Sequence, residues 1–200
     1  MTERKTVVYP NPEVLAQAVA ARTLLTIADL LAEPNRQRVD IAVTGGTDGI
    51  YVLKVMGESP LAEAVDWSRV HVWWGDERFV AADSDDRNAK QAREAWFGKL
   101  IEDGRMPAEN IHEMPADGRS DDEITTATPA HFASLFPDHG EAEINDPHVL
   151  VVGVRDSPKP PPLRVTLTVP MIAHSKHTWV FTSEERKADA VRAAFARRNN

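Results

Sequence analysis

The sequence predicts one α/β domain over residues 1–200, built in three layers, with a mostly parallel sheet and helices on both faces. Three observations carry that expectation. Short β-branched apolar runs alternate along the chain with segments of helical period. Two of those runs stop at glycines that lead on to helical segments, the start of βαβ units. The run Val70-His71-Val72-Trp73-Trp74 is almost continuously apolar, which suits a strand covered on both faces.

Taken in order, Val7, Val8 and Tyr9 form a short β run closed by Pro10. Asn11 is a suitable N-cap, with Pro12 at the first helical position and Glu13 in the first turn. Val14, Leu15, Ala18, Val19, Leu24, Leu25 and Leu31 then carry a helical period up to Pro34. Residues 39–44 read as a strand ending in Gly45-Gly46, and 50–56 as a helix. The strand at 70–74 stops at Gly75-Asp76-Glu77-Arg78, a charged loop. Residues 88–100 follow as a helix with Ala92, Ala95, Trp96 and Leu100 on one face. Further strands are expected at 149–154, 163–169 and 178–181, with a Pro-rich turn over 157–162 and a last helix opened by Ser183. The polar segment 116–130 offers no strand of useful length, which is out of place inside a compact domain.

Composition narrows the function classes. The 31 acidic and 23 basic residues leave a net charge of −8, a field that repels nucleic acid; any anion site must be local. Cysteine is absent, so disulfides, thiolate catalysis and thiolate metal sites are excluded. No apolar run approaches the roughly eighteen residues that span a bilayer, and the first residues lack a secretory leader's apolar region. A cytoplasmic location and no membrane partner are the expectations. The oligomeric state is open, with a monomer as the working expectation.

Several residues can carry chemistry, each with a plainer alternative. Gly45, Gly46 and Thr47 lie where a strand turns into a helix, so their N–H groups can face a phosphate; they also suit a simple tight turn. Arg78 can grip an anion with two donors while Asp76 orients a partner; the alternative is a solvated charged loop. His131 has the ordinary pKa of a general base at neutral pH, or is structural. Prolines 158 and 160–162 can hold Lys159 and Arg164 towards a ligand, or make a rigid connection. Lys187 can add a point charge to a phosphate, or sit in solvent. No His, Asp and Glu spacing suggests a metal, and no serine lies in a nucleophile elbow.

In order along the chain, Thr44-Gly45-Gly46, Asp66-Trp67-Ser68-Arg69, Trp74-Gly75-Asp76-Glu77-Arg78, Asn88, Pro107-Ala108-Glu109-Asn110, Ser134-Leu135-Phe136-Pro137, the stretch 156–166 and Lys187-Ala188 resemble the 6-phosphogluconolactonases. That superfamily also holds the glucosamine-6-phosphate isomerases. The resemblance implies hydrolysis of 6-phosphogluconolactone, in the oxidative pentose phosphate pathway, with no metal or organic cofactor and a small phosphosugar as substrate. His131 matches the family's general base, and Asp76 and Arg78 its reacting end. Gly45, Gly46 and Thr47 match its phosphate loop, with Arg164 and Lys187 as cationic contacts and Asn88 near the pocket. An amino-sugar-phosphate isomerase and a non-catalytic phosphosugar-binding protein are the alternatives.

The chain departs from the family at two places. The family runs through an apolar strand and a glycine turn into its histidine, whereas here Thr125-Thr126-Ala127-Thr128-Pro129-Ala130 precede His131. The family also continues with another strand after the helix that bears Lys187. The chain is either a shortened member or lacks residues between about Thr125 and Pro129 and after Asn200. The second is the expectation, because losing a central strand exposes the edges of both neighbours. It implies a spatial break near 125–129, against about 3.8 Å between bonded Cα atoms.

Overall fold

A computed structural model describes residues 5–117 and 144–196. His131 and the break expected at 125–129 lie outside the described residues.

Helix α1 is Pro12–Ala32. Asn11 caps it as expected, its side-chain oxygen accepting from the Val14 N–H at 2.8 Å, with Pro12 in the first turn. The buried stripe is Ala16, Val19, Ala20, Thr23, Leu24, Ile27 and Leu31, at three- and four-residue spacing. Val14 and Leu25, expected on that stripe, are exposed. By length and composition α1 is apolar enough to cross a membrane, which corrects the expectation that no run is. Its stripe belongs to the same buried cluster as α2 and the first two strands, the placement of a core helix.

Strand β1, Val39–Val43, leads through Gly45 into α2, Gly46–Glu58. Strand β2, Val70–Trp74, lies parallel to β1, pairing Val39 with Val70 and Val43 with Trp74. A parallel bridge between Val72 and Ile111 begins a third segment beside β2. The pleat divides β2 between two environments. Val70, Val72 and Trp74 are buried in the helix-facing core, whereas Trp73 is exposed on the other face. There the Trp73 indole N–H donates to Asp40 at 3.0 Å, and the His71 and His112 ring nitrogens lie 2.8 Å apart. Among the described residues β2 is therefore covered on one face, not two, because the opposite face carries polar partners instead of apolar ones.

Gly75 is the junction between two sheets. Its N–H donates to the Val43 carbonyl at 2.9 Å, and its own carbonyl accepts the Leu167 N–H at 2.9 Å and the Thr166 hydroxyl at 3.1 Å. The expected charged loop after it is a strand, β3, Asp76–Arg78. With β4 (Val151–Val154) and β5 (Arg164–Leu167) it forms an antiparallel sheet of order β3-β5-β4. The described strands make one parallel pair and one antiparallel sheet, so they agree with the expected mostly parallel layout only in part. The short connection through the Pro-rich turn returns the chain beside itself, and a short connection permits only antiparallel pairing.

The helix expected at 88–100 runs through α3 (Asn88–Ala92), a π turn (Arg93–Phe97) and α4 (Gly98–Glu102). The wider turn shifts the helical phase, so the adjacent Trp96 and Phe97 are both buried. Trp96 meets Trp67 edge-on with centroids 5.5 Å apart, and Phe97 meets Trp74 at 6.1 Å. Residues 7–9 and 178–181 are not strands; their exposed Val8 and Val180 have no neighbouring strand to pair with among the described residues. After β5 come α5, Val169–Ala173, and, following a 3₁₀ turn at Glu185–Lys187, α6, Ala188–Ala196. Ser183 does not open that helix but binds elsewhere, as described below.

Candidate active site

The candidate site lies beyond the carboxyl ends of β1 and β2, where open α/β sheets place their ligands. Strand alternation sorts the residues of β3. Asp76 and Arg78 point to one side, half-buried, while Glu77 between them points to the other and is fully buried. Asp76 accepts from Arg164 Nη1 at 3.2 Å. Asn88, at the start of α3, ties the group together. Its Nδ2 donates to the Asp76 carbonyl at 3.0 Å, and its Oδ1 accepts from Arg78 Nη1. Arg78 Nη1 also donates to the Asp86 carbonyl at 3.0 Å, and Arg78 Nε is buried with no partner among the described residues.

Gly45 closes the group from the β1 side. A Cβ on Gly45 would lie 1.8 Å from Asn88 Oδ1, so only glycine lets the β1 turn meet α3 this closely. Gly46 has φ of +80° at the head of α2, a conformation that side chains disfavour. Gly46 and Thr47 are exposed there.

Arg164 clasps the Pro-rich turn as well as Asp76. Its Nε donates to Pro161 O at 3.0 Å, and its Nη2 to Lys159 O and Pro160 O at 3.3 Å. The turn therefore presents Arg164 inward, while Lys159 is exposed. Lys187 arrives from the far end of the chain. The Ser183 hydroxyl and N–H donate to Asp48 in the first turn of α2 at 2.6 and 2.9 Å. Burial opposes ionisation of Asp48, yet the Ser183 bonds and the Lys187 charge hold its carboxyl below the usual range. Lys187 itself pairs with Glu184 at 3.0 Å. Hydrogen bonds from Arg186 and Lys187 bring the Glu184 carboxyl down to about 2.

The structure thus brings together Gly45, Asp76, Arg78, Asn88 and Arg164, and places Lys187 near enough to Asp48, in the first turn of α2, for its charge to act on that carboxyl. His131 lies outside the described residues. Sequence reading missed Glu77, Arg87 and the Asp48–Ser183 link. Glu77 had one available signal: in a three-residue strand whose outer members face a cleft, the middle one must face the core. Among the described residues no three His, Asp or Glu side chains are grouped to hold a metal.

An α/β domain whose glycine turn, two arginines and a carboxylate meet beside a helix start is of the kind that binds small anionic ligands. The chain matches the model of the family glucosamine-6-phosphate isomerases/6-phosphogluconolactonase over residues 10–130 and 127–200. It belongs to that family. A 6-phosphogluconolactonase of Streptomyces coelicolor is 32% identical, over 95% of this chain and 82% of the relative. One of Mycobacterium tuberculosis is 36% identical, over 94% and 84%. The crystal structure of a 6-phosphogluconolactonase from Shewanella baltica is similar with a TM-score of 0.68 and 20% identity, covering 93% of this chain and 84% of that one. The Streptomyces alignment spans 222 positions, more than the 200 residues of this chain, so that relative holds stretches with no counterpart here.

Proposed function

We propose that this chain hydrolyses 6-phosphogluconolactone to 6-phosphogluconate, the lactone-opening step of the oxidative pentose phosphate pathway. The observation that carries the reading is the meeting of Gly45, Asp76, Arg78, Asn88 and Arg164 at one strand end, in a chain whose relatives at 32 and 36% identity are lactonases. In the reaction water attacks the lactone carbonyl carbon while His131 accepts its proton. The carbonyl oxygen gains charge as the tetrahedral intermediate forms, and the Arg78 guanidinium stabilises it. The ring C–O bond then breaks, the departing oxygen takes the proton from His131, and the new carboxylic acid ionises to the carboxylate. Asp76, braced by Arg164 and Asn88, orients the reacting end. The phosphate rests on Gly45, Gly46 and Thr47 with Lys187. The finer fold expectation, a mostly parallel sheet between two helical layers, and a cytoplasmic location belong to the same proposal. Cell fractionation reads the second directly.

The test is turnover of 6-phosphogluconolactone above its spontaneous hydrolysis, with a chelator present, beside turnover of glucosamine 6-phosphate and binding of both. Accelerated lactone opening is the expected result. Turnover of the amino sugar alone makes the chain an isomerase or deaminase, and binding without turnover makes it a phosphosugar-binding protein.

The phosphate contacts give a second expectation. Lys187→Ala and Arg164→Ala should each weaken 6-phosphogluconate binding roughly 10- to 100-fold, the worth of one hydrogen bond to a charged group. Binding of unphosphorylated gluconate should change far less. Titration calorimetry with both ligands checks this. Equal losses for the arginine variant would leave Arg164 with only its bracing of Asp76 and the turn, and no phosphate contact.

A further inference from the structure

We infer that Glu77 is a positioning residue for the reaction at this site, acting through Asn88. The inference rests on the lactonase reading, and the geometry behind it does not. Glu77 has no exposure and faces away from the cleft. Its Oε1 accepts the N–H of Arg78 at 2.7 Å and of Asn88 at 2.8 Å, and its Oε2 accepts the N–H of Ala89 at 2.8 Å. One carboxylate thereby joins β3 to the first two residues of α3. Those bonds fix where the Asn88 backbone sits, and hence where its amide bridges the Asp76 carbonyl and Arg78. The same amide rests against Gly45, so an error in Asn88 reaches all three parts of the site. Behind Glu77 the Arg87 guanidinium, 1% exposed and 4.0 Å away, anchors the carboxylate from the core side.

A carboxylate buried merely for stability would need no connection to cleft residues. Among the described residues Glu77 instead bonds only backbone groups that carry cleft side chains or directly follow one, apart from its contact with Arg87. Displacing a reacting group by about 1 Å can cost about a hundredfold in rate. Glu77→Gln preserves the side chain's shape but turns one acceptor into a donor facing an N–H. Its expected effect is a kcat lower by roughly 10- to 100-fold, with KM within about threefold, since the Gly46–Thr47 and Lys187 contacts remain.

The experiment measures kcat and KM for the parent, Glu77→Gln, Asn88→Ala and the double variant. If Glu77 acts through Asn88, the double variant is no slower than Asn88→Ala alone. Losses that multiply, or a raised KM with unchanged kcat, overturn the inference. Should Glu77→Gln not fold, Glu77→Asp keeps the charge but draws it back by one methylene. A folded aspartate variant with parental kcat then overturns it equally. A parent with no lactone turnover sinks the function reading instead. The positioning is then read from the Asn88 side-chain amide NMR signals, which should move in Glu77→Gln while those of Asn110, bonded to Ser68 O, stay. Unmoved Asn88 signals overturn it.

Discussion

A His131→Ala variant is expected to open 6-phosphogluconolactone roughly two to four orders of magnitude more slowly than the parent chain, the usual span for removing a general base. The expectation follows from the motif order, in which His131 matches the family histidine, and from the chemistry beside it. Among the described residues, the cleft groups around Asp76 include two arginines, and no neutral base with an ordinary pKa near 7 touches them. Arginine stays protonated, so it can hold charge but cannot take a proton from water. An ionised carboxylate is a weak base at neutral pH. Initial rates corrected for spontaneous hydrolysis, with circular dichroism to verify folding, check the variant. Near-parental turnover in a folded His131→Ala protein would remove the histidine from the mechanism.

Arg87→Met should destabilise the fold by about 3–5 kcal/mol, the cost of leaving a buried charge without its partner. Arg87 is 1% exposed and donates to Arg78 O at 3.1 Å, to Pro115 O at 3.2 Å and to Met114 O. Its Nε lies 4.0 Å from Glu77. The methionine stem fills similar space but satisfies none of these acceptors. The loss also has a pH sign. Burial pushes the Glu77 carboxyl above its ordinary 4.5, against the Asn88, Ala89 and Arg78 N–H groups and the Arg87 charge, which favour ionisation. A carboxyl raised in the folded state contributes stability below its unfolded pKa and loses it as pH rises through the folded value. Without Arg87 that rise is larger, so the deficit should grow as pH rises above the parent's own raised folded value. Urea midpoints at several pH values measure both effects. A deficit under about 1 kcal/mol, or one that shrinks with rising pH, would mean that the pair is not what holds β3 to α3.

Local chemistry made much of this legible in advance. Asn11 and Pro12 announce the start of α1 because a cap and a fixed φ act within one turn. Residues 39–43 and 70–74 announce themselves as strands through β-branched composition, and the glycines at 45–46 mark the turn between β1 and α2. The ordered motifs pointed to the cleft residues before any geometry was known. Val7–Tyr9 and residues 178–181 misled for the complementary reason: β propensity makes a strand only where a neighbour supplies the other half of the ladder. The charged tetrapeptide at 75–78 misled in the opposite sense. Its polarity suggested a loop, yet Asp76–Arg78 pairs with β5, and its charges are satisfied by residues as far along the chain as Arg164.

By itself the sequence determined the α/β class, the glycine turn at the head of α2, the absence of thiol chemistry and the family motifs around Asp76 and Arg78. Each depends on composition or on a few neighbouring residues. Only the tertiary structure decided that β3–β5–β4 is antiparallel, that Trp73 on β2 is exposed and donates to Asp40, and that Glu77 turns inward onto Asn88 and Ala89 while Asp76 and Arg78 turn out. Those outcomes depend on partners far apart in the chain, as Asp76 and Thr166 are, 90 positions from one another. A hydrogen bond between such partners is set by where the whole fold brings the two chains together, and neither residue carries that information alone.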